Sequence, residues 1–124
     1  MPFALRLGQV FRPKAFQAHV HVIVSTPPAS GGSVLVVNWT TLDDECIDDA
    51  GILNTGEHPA IRHPSAMAYS RAHLWQAEKI RVAVANGLLE ELEPLNPALL
   101  NRIVEGGIKS PELRPEWKAM LPKL

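Results

Sequence analysis

Ala18-His19-Val20-His21-Val22-Ile23-Val24-Ser25 and Ser33-Val34-Leu35-Val36-Val37-Asn38-Trp39-Thr40-Thr41 are the stretches whose reading decides the fold class. The first alternates and then runs β-branched, which is strand chemistry, because branched side chains pack well on a pleated surface. The second is apolar at nearly every position, so both of its faces are expected to be covered. Between them lies Thr26-Pro27-Pro28-Ala29-Ser30-Gly31-Gly32, a breaker cluster that stops the first strand. Two strands on a seven-residue link read as an antiparallel pair with a long loop.

Outward from this pair the signals change. Residues 42–57 are rich in Asp, Gly and Asn and read as a loop, with a short strand at Ile52-Leu53. Residues 58–65 carry two prolines and are extended or turned. Ala66 to Leu74 has alanines that favour a helix, yet Met67, Tyr69, Arg71 and His73 would share one side of a strand; strand is the reading taken. Ala77 to Asn86 places Ile80 and Val84 four apart on a helix, and Gly87 stops it. Asn96 then caps a second helix with Pro97 in its first turn, striped by Leu99, Leu100, Ile103 and Val104 and ended by Gly106-Gly107. Residues 109–124 form a docked or frayed tail. The expectation is one α+β domain over residues 1–124: a mostly-β body to about residue 75, then two short helices within about 77–108.

Composition bounds the function. At 46% hydrophobic and 20% charged residues the chain can bury a core. Twelve basic residues face thirteen acidic ones, which excludes a broadly basic nucleic-acid coat while allowing a local patch. Residues 1–37 and 58–73 contain no acid, whereas 38–57 contain Asp43, Asp44, Glu45, Asp48, Asp49 and Glu57 and no base. Without that acidic stretch the body is net cationic and could hold a polyanion in a groove. Cys46 alone makes neither an internal disulfide nor a cysteine zinc site, and its acidic neighbours disfavour a thiolate. No apolar run is long enough to span a bilayer, and no secretory signal is evident, so a cytoplasmic protein is expected.

The densest chemistry lies in Gly56-Glu57-His58-Pro59-Ala60-Ile61-Arg62-His63-Pro64-Ser65, with an acid, two imidazoles, a guanidinium and a hydroxyl in ten residues. Imidazole exchanges protons near neutral pH, and a guanidinium can hold a phosphate through two parallel hydrogen bonds. Together they suit phosphodiester cleavage, although a rigid loop whose histidines cap backbone groups would look the same. His19 and His21 share a strand face and, with His58 or His63, would form a three-imidazole metal site. The spacing matches no metalloenzyme signature, so no metal or other cofactor is assigned. Thr40 and Thr41 could bond a phosphate or simply finish a strand, and Asp43 and Asp44 read as turn starters. Tyr69 offers either a stacking ring or core filler, beside Arg71 as a phosphate fork.

The order of parts resembles the PemK/MazF-like family over roughly residues 18–105: strand His21–Ser25, strand Val34–Thr41, an acidic loop, a later strand bearing Arg71, and a terminal helix. The motif from Gly56 to Ser65 also looks like one shared by small bacterial proteins of unassigned activity. The family resemblance implies a small SH3-like barrel over about residues 1–75 and a toxin of a toxin–antitoxin system that cuts single-stranded RNA without a metal. Thr40 and Thr41 match the family's Thr/Ser pair, and Arg71 is similar to its catalytic Arg. An acidic antitoxin would then occupy the groove.

Two readings of function follow. In the first, an endoribonuclease, Arg71 stabilises charge on the phosphorus, His58 or His63 transfers protons, and Arg62, Thr41, Thr40, Ser65 and Tyr69 bind substrate. In the second, the body is a binding module for protein or nucleic acid that cuts nothing. A histidine-ligated metal hydrolase is a third and weaker reading. Apolar tail residues Leu113, Trp117 and Leu121 suggest a homodimer.

Overall fold

The computed structural model of the chain describes residues 4–15, 19–28, 32–41 and 49–123. Its strands and helices are β1 (Val10–Pro13), β2 (Val20–Ile23), β3 (Ser33–Thr41), β4 (Ile52–Leu53), β5 (Ser65–Met67), β6 (His73–Gln76), α1 (Ala77–Ala85), β7 (Leu89–Leu92), α2 (Pro97–Lys109) and α3 (Pro115–Lys118). The pairings are antiparallel and run β4-β5-β3-β2-β1-β7, with β6 also on β3.

β3 organises the sheet. Val36 to Trp39 pair with β2 on one side; on the other, Ser33 to Val36 pair with β6 and Trp39 to Thr41 with β5. Its near-continuous apolar run has the cause expected of it, since the sheet is buried on both faces. Leu35, Val37 and Trp39 enter one core, and Val34 and Val36 enter the other. The first core is covered by Leu99, Ile103 and Val104 of α2 and by Leu113 and Leu121 of the tail. The second is covered by Ala77 and Ile80 of α1, against Phe11 and Ile23.

The mixed, mostly-sheet architecture with C-terminal helices is as expected, but the closed barrel is not. Among the described residues β4 and β7 end the sheet without pairing to each other. β1 and β7 were not expected as strands. Leu89-Glu90-Glu91-Leu92 favours a helix by residue type, and its full pairing with Val10–Pro13 overrides that preference.

The expected strand over Ala66–Leu74 is broken. β5 ends at Met67, a 3₁₀ turn spans Tyr69–Arg71, and β6 begins at His73. The Ala68 N–H donates to the Asn38 carbonyl, Arg71 N–H closes back on Ala68, and Ala72 N–H closes on Tyr69. The turn sends Tyr69 inward, where its hydroxyl donates to the Ile103 carbonyl at 2.7 Å.

Gly87 ends α1 in the left-handed region at φ 73°. Asn96 caps α2, its Oδ1 accepting from the Leu99 N–H at 2.8 Å. Gly106 and Gly107, expected to stop α2, lie inside it, and the helix runs on to Lys109. Gly106 serves close packing instead: a Cβ there would overlap the Ala50 carbonyl and the Tyr69 hydroxyl. The tail is docked, not frayed, with Leu113 and Leu121 buried in the first core. No helix among the described residues is long and apolar enough to cross a membrane. Asp43, Asp44 and Cys46 lie outside the described residues.

Candidate functional site

The segment from Gly56 to Ser65 is held at several points. Gly56 takes φ 89°, where a side chain would be strained, and its N–H donates to the Ile61 carbonyl. Ile61 N–H in turn donates to the His58 carbonyl, and the Ile61 side chain is buried in the first core. Glu57 is clamped by Arg102 of α2 and by the Asn54 N–H. The Arg102 hydrogen bond is the main cause that holds the Glu57 carboxyl below its usual range.

His58 is only 4% exposed. Its Nδ1 accepts the Ala60 N–H at 3.0 Å, which leaves the proton on Nε2, and Nε2 donates to the Glu93 carbonyl at 2.5 Å. The ring packs edge-on against Trp39, with centroids 5.6 Å apart. Both nitrogens are thus spent on the backbone, and the ring braces its loop against the segment after β7. A general base needs a free lone pair within reach of the proton it removes. The proton-transfer role expected of His58 is therefore corrected to a structural one.

Next to this brace lies an open cleft of about 400 Å³. Arg12, Arg62 and His63 line it together with Pro59, Leu92 and Glu93. Arg12 reaches Glu90 across the β1–β7 pair at 3.2 Å. Arg62 is exposed and makes no ion pair with a described residue. His63 is exposed, with Nδ1 3.3 Å from the Pro64 carbonyl. Of the residues expected to form a site, the cleft gathers His58, Arg62 and His63. Arg12 was visible in the sequence only as one base of an acid-free opening; its place in the lining beside Leu92 depends on β1 pairing with β7.

The other expected site residues do not join them. Tyr69 is 3% exposed, so it cannot stack a base at the surface and is corrected to core filler. Ser65 is buried in β5, its hydroxyl donating to the His63 carbonyl at 2.9 Å. Thr40 and Thr41 pair with Ala66 and Ser65 at the end of β3, outside the cleft lining. Arg71 is exposed on the 3₁₀ turn and is also absent from that lining.

A second histidine group sits on the opposite face. Val20 and Val22 point into the first core, so His21 between them points to the other side. There it meets Trp75 at 4.8 Å and His73 at 5.7 Å between ring centroids. His21 Nδ1 lies 3.0 Å from the His19 carbonyl, and His73 Nδ1 lies 2.8 Å from the Arg71 carbonyl. Desolvation is the main cause that lowers the His21 pKa to about 4, helped by the nearby His73 and His19 and opposed by the His19 carbonyl. His21 and His58 face opposite sides, which separates the imidazoles of the imagined three-histidine metal site. Among the described residues no three His, Cys, Asp or Glu side chains are placed to share a metal ion.

Comparison with family models, with curated proteins and with solved structures gave no match to this chain.

Proposed function

We propose that the protein is a binding module whose cleft holds the phosphate backbone of single-stranded RNA, the ligand class that the PemK/MazF-like resemblance implies. One observation carries the reading: Arg12, Arg62 and His63 line a single open cleft while His58, the innermost imidazole there, is locked onto the backbone. The Arg62 guanidinium, which makes no ion pair with a described residue, is suited to clasp a phosphate, and the aliphatic wall of Pro59 and Leu92 gives a sugar something to rest on. An acidic partner segment of the antitoxin kind would compete for the same groove. The endoribonuclease of an SH3-like toxin is the second reading. It is favoured by the exposed His63 ring beside Arg62, which could pass a proton while Arg62 holds the phosphate.

The experiment is fluorescence anisotropy with a labelled mixed-sequence single-stranded RNA in EDTA, followed by gel analysis of the same sample. The expected result is salt-sensitive binding without product, weakened about tenfold in Arg62→Ala. Products ending in 2′,3′-cyclic phosphate, lost in His63→Ala, would establish the enzyme instead. No binding at low salt would end both readings.

A further inference from the structure

The strands with a free outer edge differ in how that edge is protected. β4 has two residues, and β7 carries Glu90 and Glu91 with Glu93 and Pro94 behind it. Short length, charge and proline are the usual means of keeping an unpaired edge from recruiting another chain. β6 carries no Asp, Glu, Lys, Arg or proline. It reads His73-Leu74-Trp75-Gln76 and, among the described residues, pairs on one side only, with β3. Leu74 is 44% exposed on this strand. Beside it an apolar groove of about 500 Å³ passes from Leu74 and Trp75 over Ile80 of α1 to Leu88 and Leu89. Leu88, on the far lip, is 65% exposed. Lys79 is the one charged side chain in that lining.

We propose that β6 pairs antiparallel with β6 of a second copy of this chain, joining two sheets across a twofold axis. A second copy is the fitting occupant because a twofold interface sets one patch against itself, so the patch must be self-compatible. β7 fails this test, since its pairing would oppose carboxylates to carboxylates, and opposed like charges destabilise a strand pair. β6 passes it. With the axis at Leu74, the two leucines lie opposite each other and each copy's His73 lies opposite the other's Trp75, an apolar pair flanked by two aromatic ones. The outward N–H and C=O groups on alternate residues of β6 gain partners, and the exposed leucines leave water. Of the tail residues from which a dimer is expected, Leu113 and Leu121 are buried in the chain's own core and Trp117 is half-buried against it. This pairing does not depend on what the cleft binds.

The test is sedimentation together with amide hydrogen exchange on the unaltered protein over a range of concentrations. The mass is expected to rise from one chain of 13.6 kDa to two. Exchange of the β6 amides should slow over the same range. Leu74→Lys, which sets ammonium groups at the axis, should weaken association by about tenfold or more, while its melting temperature equals that of the unaltered protein when both are dilute enough to be single chains. Glu90→Gln should leave association as it is. A single-chain mass throughout overturns the proposal. So does a dimer in which β6 exchange is independent of concentration, a result that stands even if Leu74→Lys disturbs the fold.

Discussion

The loop from His58 to His63 and the patch of His21, His73 and Trp75 both concentrate imidazoles, yet they sit on opposite faces of one sheet and use them differently. At His58 both ring nitrogens are hydrogen-bonded to the backbone, and the ring is packed on Trp39. At His21 and His73 one nitrogen faces a carbonyl two residues back along the chain, the two rings meet edge-on, and both contact Trp75 at a tilt. The first arrangement ties distant segments together. The second roofs part of a core while leaving the rings half-exposed. A histidine's neighbours in space, not its neighbours in sequence, decide whether it is a brace, a roof or a reagent.

His58→Ala should break this comparison most forcefully if it is wrong. It removes the contact with the Glu93 carbonyl, strands the Ala60 N–H and opens a void beside Trp39. A stability loss of about 3 kcal/mol is expected in urea unfolding. A loss below about 1 kcal/mol would show that the ring is not a brace and would restore it as a candidate reagent.

The effect at His21 is smaller and depends on pH. Its folded-state pKa of about 4 lies below the ordinary value of 6.5, so the unfolded chain takes up the proton first. The contribution to stability is therefore complete above pH 6.5 and falls away as the pH drops towards 4. The melting temperature should decline across that window, and His21→Gln should flatten the decline. Glu57 acts in a separate window: its carboxyl is held below 4.5, so its contribution is lost only at more acid pH. An unchanged slope in His21→Gln would place the desolvated imidazole elsewhere.

The smallest effect is expected at His63. It is exposed and makes one long contact, so His63→Ala should change stability by less than about 0.5 kcal/mol. That contrast with His58, five residues away, is the sharpest form of the comparison. Equal losses at the two positions would mean that the whole loop, and not one ring, is the structural element.

Much of this division could not be read from the residues in order. The motif around His58 and His63 was visible as a dense group of ionisable side chains, but a histidine before a proline looks the same whether its ring is buried or free. Tyr69 was open between surface and core because its direction depends on a 3₁₀ turn that is tied to another strand through the Asn38 carbonyl. Arg12 and Glu93 entered the cleft only through β7, whose residues individually prefer a helix.

Some features were determined locally by the chain itself. β-branched runs made β2 and β3, Asn96 and Pro97 started α2, and Gly87 stopped α1, because backbone preference and hydrogen-bond capping act over a few neighbours. The tertiary structure alone decided that the sheet stays open, that Gly106 lies inside a helix, and which imidazoles meet. Those outcomes depend on contacts between residues far apart in sequence, such as Gly106 with Ala50 and His58 with Glu93. Residue type and spacing carry no direct record of such contacts, since many partners of similar size and polarity could satisfy the same local pattern.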